Sequence, residues 1–366
     1  MEKILVFGMT ENPGGVESVI MNYYRYLDKS KIQFDFLSNS KNIAYEEEIE
    51  SLGGKVFKIT ARKDDFRKFR YELDCFMKNN ARFYSAIWVN ICSLVNIDYL
   101  IYAKKYGIAK RIIHCHNSDN DAGKLKRIVH EWNKKRIGKY ATHFWSCSDS
   151  ASQWFFNKII INSKNYKVIP NAIEVERFLK NDEVRANIRK KYDLENKIVI
   201  GHVGRFHFQK NHKFLIEVFN ELLKKNDKYQ LLLVGQGNEE ATIKSMVAKY
   251  GIENNVTFCG VRDDVETFYQ AMDCFVLPSI FEGLGIVALE AQACSLPCLL
   301  SDEVPKVVKV NDNVFFYSLN NTAHDWACEI ERILAQKDCN TENRMLHSKY
   351  NIKLQIDEFE RAILEK

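Results

Sequence analysis

The chain has 366 residues, of which 46% are hydrophobic and 28% charged, and its formal net charge is +5. This length favours two domains over one, and the apolar content excludes wholesale disorder. The sequence has no apolar run of about 18 residues, which a spanning helix needs, and its start, MEKILVFGM, lacks the layout of a signal peptide.

Strand-like apolar runs alternate with helical patterns along the chain, which predicts parallel sheets covered by helices. One series runs through KILVFGM, FDFLS, KVFKI, SAIWVN, RIIHCH and HFWSCS, and a second through IVIGHVGR, YQLLLVG, VTFCG, CFVLP and PCLLS. The segment KVIPNAIEVERF, with its X-Pro break, connects the two series. We therefore predict an α/β protein with two Rossmann-like, doubly wound domains, residues 1–170 and 171–345, and a helical tail over 346–366.

The ten cysteines form no Cys-x₂-Cys pair. Several lie inside apolar runs such as CFVL and SLPCLL, which is typical of reduced thiols that act as small hydrophobic residues. We expect neither a zinc site nor a disulfide framework, and a cytoplasmic location.

The positive charge is concentrated in the first half. Residues 51–170 contain 23 Lys and Arg against 9 Asp and Glu, whereas residues 171–366 contain 25 against 30. The most basic stretch, GKLKRIVHEWNKKRIGKY at 123–140, has seven Lys and Arg and one Glu, with Leu125, Ile128, Val129 and Trp132 on one side. It is either a domain helix with a solvated basic face or an interfacial helix that contacts the anionic inner face of the cell membrane.

Ligands of doubly wound domains bind at the carboxyl ends of the strands, in the cleft between the domains. The first strand is followed by GMTENPGGVES, where Gly14 and Gly15 let backbone approach a ligand just before a helix. An ordinary flexible turn explains the same residues. The loop is not a Gly-x-Gly-x-x-Gly fingerprint, and no Walker sequence occurs.

The first strand of the second half ends in VGRFHFQKNHKF, with Arg205 at the strand end and Lys210 before the next helix. Two cations in such a loop suit an oligophosphate. Two solvated loop cations are the alternative interpretation.

Another strand ends in RIIHCHNSD, where alternation places His114 and His116 on one face. A third metal ligand at a suitable spacing is missing, so we expect no metal site. We expect His116 to form hydrogen bonds in the cleft and His114 to be a satisfied core residue.

The stretch FEGLGIVALEAQ carries Glu282 and Glu290 around a glycine loop, with a helix predicted to begin near Gly285. No basic residue lies in 281–305, although Glu is rarely buried without a partner. We expect both carboxylates to accept hydrogen bonds from sugar and ribose hydroxyls rather than pair with cations. The amides of Gly283 to Gly285 would attract an anion to the helix start.

Together, Gly14-Gly15, His116, Gly204-Arg205 with Lys210, Gly235 and Glu282-x₇-Glu290 resemble glycosyltransferase family 4, whose members are retaining enzymes of the GT-B fold. The resemblance covers essentially the whole chain, and FEGLGIVALEA together with GR-x₄-K is its most specific part. The segments GGVESVIMNYYRYLDKSKIQFDFL and SDEVPKVVKV resemble the branch that assembles capsular polysaccharides and exopolysaccharides.

The resemblance implies four catalytic residues. Arg205 and Lys210 would bind the donor diphosphate, Glu282 would hold hydroxyls of the transferred sugar, and His116 would contact that sugar near its reacting carbon. Other implied donor contacts are Gly14, Gly15, Gly204, Gly235, Gly260, Val261, Arg262, Gly283, Leu284, Gly285 and Glu290. Within this set Glu290 would bind the ribose and residues 260–262 would line the base pocket, while the final helix would return to the N-terminal domain.

The implied reaction moves a hexose or N-acetylhexosamine from a nucleotide sugar, expected to be a UDP-sugar, to a glycan or a polyprenyl-diphosphate-linked saccharide. Preorganised cations and amides can stabilise a departing diphosphate without a metal, so we expect no required cofactor. The carboxylate pairs Asp64-Asp65 and Asp263-Asp264 are more typical of helix caps.

Two other functions are compatible with parts of the sequence. A nucleotide-sugar epimerase of the same two-domain shape would need more acid and base groups around the sugar. A nucleic-acid-binding protein is suggested by the basic segment, but no recognised motif occurs and we expect no nucleic-acid partner.

Overall fold

The computed structural model describes residues 1–117, 123–336 and 342–365. Their contacts divide the chain into an N-terminal unit, Met1–Ala172 with the chain end from Ile352 onward, and a C-terminal unit, Ile173–Asn351. Both boundaries lie slightly further along the chain than those predicted after residues 170 and 345.

The N-terminal unit contains a seven-stranded parallel sheet in the order β3-β2-β1-β4-β5-β6-β7. Its strands are β1 (Glu2–Phe7), β2 (Ile32–Ser38), β3 (Val56–Lys58), β4 (Ala86–Ile91), β5 (Lys110–Cys115), β6 (His143–Ser146) and β7 (Tyr166–Val168). Its helices are α1 (Gly15–Tyr26), α2 (Glu46–Ser51), α3 (Phe66–Asn80), α4 (Asp98–Lys105), α5 (Gly123–Arg136), α6 (Asp149–Phe155) and α7 (Lys158–Ile161). The central strands are buried on both faces, as expected for a parallel sheet covered by helices.

The last helix of the chain, Ile352–Leu364, packs on the N-terminal unit and is called α15 here. Phe359 stacks on Tyr23 of α1 at 4.1 Å between ring centroids and meets Trp88 edge-on at 5.1 Å. The Nζ atom of Lys110 donates to the carbonyl of Ala362 at 2.8 Å. A lysine that binds the last carbonyls of a helix also complements the negative end of the helix dipole.

The C-terminal unit contains a six-stranded parallel sheet in the order β10-β9-β8-β11-β12-β13. Its strands are β8 (Ile198–Val203), β9 (Tyr229–Val234), β10 (Val256–Phe258), β11 (Cys274–Leu277), β12 (Cys298–Ser301) and β13 (Val314–Tyr317). Its helices are α8 (Val175–Phe178), α9 (Asp182–Lys191), α10 (His212–Leu223), α11 (Glu240–Tyr250), α12 (Val265–Ala271), α13 (Ile286–Ala293) and α14 (Ala323–Ala335). Because all strands are parallel, the loops that follow them meet at one edge of the sheet.

Several elements were absent from the sequence-based prediction, among them β7, β13, α9 and α14. The helical tail predicted over 346–366 begins later than expected, since α15 starts at Ile352. The 3₁₀ turn at Arg344–His347 is a separate element before it. The nine cysteines in the described ranges are all free thiols, and Cys339 lies outside those ranges. Within the same ranges, no helix has the length and hydropathy to cross a membrane.

Candidate functional site

The loop after β8 carries the two predicted phosphate-binding cations. Arg205 directly follows Gly204, and Lys210 ends a 3₁₀ turn at Phe208–Lys210. Asn211 then adopts the left-handed conformation (φ 56°) and is the N-cap of α10. The side chain of Arg205 is exposed and, among the described residues, has no hydrogen-bond or ion-pair partner.

Lys210 forms a buried ion pair with Glu282 in the loop after β11. Its Nζ atom lies 2.6 Å from Oε1 of Glu282, and the Ser279 hydroxyl donates to the same oxygen at 2.7 Å. The prediction that Glu282 has no cationic partner is therefore wrong. Lys210 is distant from Glu282 in sequence but close in space, because β8 and β11 are neighbours in the sheet and the loops after them therefore meet.

Backbone contacts also join these two loops. The amide of Ile280 donates to the carbonyl of Gln209 at 2.8 Å, and Nε2 of Gln209 donates to the carbonyl of Phe281 at 3.0 Å. The position of Lys210 relative to the helix start near Gly285 is thus fixed by several bonds rather than by one flexible side chain.

The start of α13 has the geometry that the sequence predicts. Gly285 is its N-cap in the left-handed region (φ 88°), and no side chain caps the helix. Gly283, Leu284 and Gly285 are buried and lead directly into the first turn. The positive end of the helix dipole therefore lies beside the loop that carries Glu282.

Glu290 lies on α13 and is held by Tyr269. The Tyr269 hydroxyl donates to Oε2 of Glu290 at 2.7 Å. Burial raises the pKa of Glu290, and the hydrogen bond from Tyr269 opposes this rise. Tyr269 was not among the predicted site residues, although its hydroxyl contacts one of them.

The glycines of the site are needed for backbone packing. Gly235 has a φ of 131°, and a Cβ there would lie 2.2 Å from the carbonyl oxygen of Gly204. A Cβ on Gly204 would lie 3.2 Å from Nε2 of His202 and 3.3 Å from Cδ of Lys210. Gly260, with a φ of 67°, pairs with Gly235 through an amide-to-carbonyl bond of 2.8 Å. The three glycines therefore allow the loops after β8, β9 and β10 to interlock, that is, to pack backbone against backbone at the edge of the sheet.

The predicted base-pocket residues have different surroundings. Val261 is exposed, whereas Arg262 forms a two-bond pair with the carboxylate of Asp264 at 2.8 and 2.9 Å. Asp264 is the N-cap residue of α12, as predicted, but its carboxylate binds Arg262 and makes no side-chain bond to the helix amides. Asp65 caps α3 by accepting from the amide of Lys68.

Two buried histidines lie behind Lys210 and were not predicted. Nδ1 of His202 is 2.8 Å from the carbonyl of Val276, and the ring of His212 lies 4.6 Å from that of His202. Burial lowers the pKa of His202 to about 4 and also lowers that of His212. Both rings are therefore neutral at physiological pH. The position of His202 inside the apolar run IVIGHVGR, whose strand is buried almost throughout, was the available signal.

In the N-terminal unit, the side chain of Glu17 on α1 binds the loop after β1. Gly14 is the N-cap of α1, and the Thr10 hydroxyl donates to Oε1 of Glu17 at 2.5 Å. A Cβ on Gly14 would lie 2.9 Å from Oε2 of Glu17. Gly14 therefore leaves room for the Glu17 carboxylate, which returns over the loop, and burial raises the pKa of that carboxylate.

His116 follows β5 and is bonded to Asn90 of the neighbouring strand. Its Nε2 atom is 2.9 Å from Oδ1 of Asn90, whose Nδ2 donates to the carbonyl of Phe7. The amide oxygen therefore faces the ring, so Nε2 carries the proton and Nδ1 does not. Burial lowers the pKa of His116 to about 4, which keeps the ring neutral.

His114 lies on the same face, with its ring 4.2 Å from that of His116. His114 is fully buried, as predicted for a core residue, but within the described ranges neither of its ring nitrogens has a hydrogen bond of good geometry. Asp119, at the end of the same motif, lies outside the described residues. In the described ranges, no group of three or more His, Cys, Asp or Glu side chains is arranged to hold a metal ion.

Comparisons with known proteins agree with this architecture. The family described as "Glycosyl transferases group 1" matches residues 184–352. EpsF of Bacillus subtilis, whose name places it among the glycosyltransferases, is 31% identical over 333 residues, which cover 88% of this chain and 85% of EpsF.

Two further proteins are similar to this chain, one in sequence and one in structure. An Escherichia coli UDP-Gal:alpha-D-GlcNAc-diphosphoundecaprenol alpha-1,3-galactosyltransferase is 25% identical over 201 residues, covering 52% of this chain and 50% of that protein. The crystal structure of Anabaena HepE in complex with UDP and glucose covers 100% of both chains with a TM-score of 0.82 and 17% identity. The two parallel-sheet units therefore have the GT-B fold.

Proposed function

The chain belongs to the group 1 glycosyltransferases, and we propose that it moves a hexosyl or N-acetylhexosaminyl group from a UDP-sugar to a hydroxyl of a glycan or lipid-linked saccharide. We assign this transfer to the synthesis of a capsular polysaccharide or exopolysaccharide. The observation that carries the proposal is the junction of the loops after β8 and β11, where Lys210, Glu282 and the start of α13 lie together.

This junction has the charges that glycosyl transfer requires. When the bond between the sugar carbon and the diphosphate oxygen breaks, negative charge develops on the leaving diphosphate. Lys210 and Arg205 supply positive charge, and the amides of Gly283 to Gly285 supply hydrogen-bond donors, so we assign the diphosphate to this place. Oxygen atoms of Glu282 and Glu290 accept hydrogen bonds from hydroxyls of the sugar and the ribose.

We propose that transfer retains the configuration at the sugar carbon and needs no metal. The acceptor oxygen forms its bond on the face that the diphosphate leaves, and a diphosphate oxygen takes the acceptor proton. Glu282 already accepts hydrogen bonds from Lys210 and Ser279, which suits a binding residue better than a nucleophile. The contacts of Gly15 and His116 with the donor, implied by the family resemblance, stay predictions.

The test is a transfer assay with a panel of UDP- and GDP-sugars and glycan or lipid-linked acceptors. We expect product only when donor and acceptor are both present, with an α-anomeric product from an α-linked donor and full activity in EDTA. Sugar conversion with the donor alone would support the epimerase alternative. An inverted product, or activity that EDTA removes and Mg²⁺ restores, would contradict the retaining, metal-free mechanism.

We further propose that the protein reaches a lipid-linked acceptor at an anionic membrane surface, through helix α5. The side chains that α5 buries are polar, namely His130 and Asn133. Nδ1 of His130 accepts from the amide of Leu94 at 3.2 Å, and Nδ2 of Asn133 donates to the carbonyl of Leu94 at 2.6 Å. These bonds to the loop after β4 orient α5 with its polar pair inward.

The apolar side chains of α5 consequently face outward. Leu125, Ile128 and Trp132 are 80%, 64% and 58% exposed, and their spacing of three and four residues places them in one stripe. The Arg136 guanidinium lies 3.9 Å from the centre of the Trp132 ring. The other basic residues of α5 are Lys124, Lys126, Arg127, Lys134 and Lys135. An exposed apolar stripe among cations is typical of helices that lie in the interface of an anionic membrane.

Vesicle flotation tests this contact. We expect the protein to float with vesicles that contain phosphatidylglycerol and not with pure phosphatidylcholine vesicles. The triple variant Leu125→Ser, Ile128→Ser, Trp132→Ser should stay in the soluble fraction, whereas Ile159→Ser, at an exposed apolar residue of α7, should float like the unmodified protein. Failure to float with either kind of vesicle would remove the membrane proposal and leave the transferase proposal intact.

A further inference from the structure

Tyr269 contacts Glu290 from the interior of the C-terminal unit. The residue is fully buried on α12, and its hydroxyl lies 2.7 Å from Oε2 of Glu290 and 3.2 Å from the carbonyl of Val287. A phenol has a single proton to donate. The shorter contact to a carboxylate is the stronger bond, so the proton belongs to the bond with Glu290.

The Tyr269 ring is fixed in position by other aromatic rings. Phe178 meets it edge-on with 5.8 Å between centroids, and Phe275 lies at the same centroid distance with an interplanar angle of 53°. Aromatic pairs at these distances stabilise one orientation of the ring. The hydroxyl therefore occupies one place relative to α13.

The helix that carries Tyr269 is also anchored. Nε2 of Gln270 donates to the carbonyl of Leu179 at 3.0 Å, and Oε1 of Gln270 accepts from the amide of Asn181 at 2.9 Å. A guanidinium nitrogen of Arg177 donates to Glu266 at 2.7 Å. These bonds attach α12 to α8 and to the start of α9, so the donor to Glu290 is mounted on a rigid support.

The bond leaves part of the Glu290 carboxylate available to a ligand. Oε2 accepts the Tyr269 proton, whereas Oε1 has no hydrogen-bond donor among the described residues. A carboxylate has about four acceptor positions, and vicinal hydroxyls are suitable donors for those that remain. A carboxylate free to rotate would lose this orientation and the entropy advantage that it gives to binding.

We propose that Tyr269 is a positioning residue for donor binding, which orients the Glu290 carboxylate to accept hydrogen bonds from the ribose hydroxyls of the nucleotide. This inference rests on the proposed function, since it takes a nucleoside diphosphate as the ligand. It adds Tyr269 to the residues that determine affinity, although Tyr269 itself does not contact the ligand.

The test compares ribose recognition in Tyr269→Phe and in a control variant. Tyr350→Phe is a matched control, because the hydroxyl of Tyr350 is also buried in the C-terminal unit and donates to the carbonyl of Val307 at 2.9 Å. Calorimetry would give Kd values for UDP and for its 2′-deoxy and 3′-deoxy analogues. GDP and ADP would be included to cover a different base.

In the unmodified protein we expect the ribonucleotide to bind at least about tenfold more tightly than one or both deoxy analogues. This factor corresponds to the loss of one hydrogen bond to a charged group. Tyr269→Phe should weaken ribonucleotide binding by a similar factor and leave the deoxy analogue almost unchanged, so that the ratio of the two Kd values approaches one. Tyr350→Phe should keep the original ratio.

Three results would overturn the inference. An unchanged ratio in Tyr269→Phe, whether affinity is kept or lost equally for ribose and deoxyribose ligands, would show that the hydroxyl is structural only. Absence of discrimination in the unmodified protein would show that Glu290 does not bind the ribose. If no nucleoside diphosphate binds the unmodified protein, the proposed function fails as well, which distinguishes that failure from the first two.

Discussion

Lys210 and Glu282 form an ion pair with 2.6 Å between Nζ and Oε1, and only 8% of the Glu282 side chain is exposed. The pair joins the loop after β8 to the loop after β11, and it keeps an acid and a base together where an anionic ligand is expected to bind. In a buried pair, each charge depends on the other for its stability. The two residues are therefore expected to support both folding and binding.

We predict that Lys210→Ala lowers the free energy of unfolding by about 3 to 5 kcal/mol, because it leaves the Glu282 carboxylate buried without a cation. The double variant Lys210→Met, Glu282→Gln should recover most of this loss but should not transfer sugar. Urea unfolding followed by circular dichroism, together with a transfer assay, measures both effects. In the matched exposed pair, Lys224→Ala should cost less than about 1 kcal/mol, since Lys224 and Glu221 form a surface pair. Normal turnover in the double variant would show that the charges of Lys210 and Glu282 are not needed for transfer.

Arg205→Ala should act in the opposite way, with a large effect on activity and almost none on stability. The Arg205 side chain is exposed and has no bonded partner in the described part of the chain. We expect transfer to slow by at least about 100-fold, because a cation near the leaving diphosphate is lost, while the melting temperature stays constant. Lys244→Ala, at an exposed cation of α11, is the control for general charge effects. Equal activity in the two variants would remove Arg205 from the site.

Gly235→Ala should destabilise the C-terminal unit. The new Cβ would lie 2.2 Å from the carbonyl oxygen of Gly204, at a φ of 131° that residues with side chains rarely adopt. We expect a loss of about 3 kcal/mol or more, or no soluble protein. Gly138→Ala is the control, since its Cβ would lie 4.0 Å from Cδ1 of Ile160, an ordinary van der Waals distance. Thermal unfolding of the two variants compares these positions, and equal melting temperatures would show that the interlocked loops can separate at little cost.

The strand-end loops were predictable because buried parallel strands are continuous apolar runs, and loops after such strands carry ligands. The elements that were missed had weaker patterns. β13 is a short edge strand in which three of four residues are only half-buried, and α14 follows a loop of small polar residues. The sequence Thr322-Ala-His-Asp325 was a usable signal for α14, because these two side chains form a capping box in the structure.

The contacts within the site were less predictable than its residues. The pairing of Lys210 with Glu282 depends on β8 and β11 being adjacent, and apolar patterns do not specify which strands are neighbours. Helix α5 illustrates a second limit. Helical spacing places Leu125, Ile128 and Trp132 on one face, but it does not show whether that face is inward, and here His130 and Asn133 are inward instead.

The buried histidines predict how stability depends on pH. The pKa of His116 and of His202 is about 4 in the folded protein, against about 6.5 in an unfolded chain. Between these values the unfolded chain binds more protons than the folded one, so stability falls as the pH falls from about 6.5 towards 4. Each histidine contributes on the order of 3 kcal/mol across this window. The raised pKa values of Glu17 and Glu290 act in the opposite direction, because the folded state then retains protons that the unfolded chain releases.

Urea midpoints measured between about pH 7 and pH 5 test this dependence. We expect the midpoint to decrease over the range, and the decrease to be smaller in His202→Asn, since asparagine has no proton to bind in the unfolded state. His347→Asn is the control, because His347 is exposed on the 3₁₀ turn before α15 and its replacement should leave the slope as it was. An identical slope in His202→Asn and the unmodified protein would mean that the ring of His202 becomes protonated in the folded state without cost, which contradicts its burial beside Lys210.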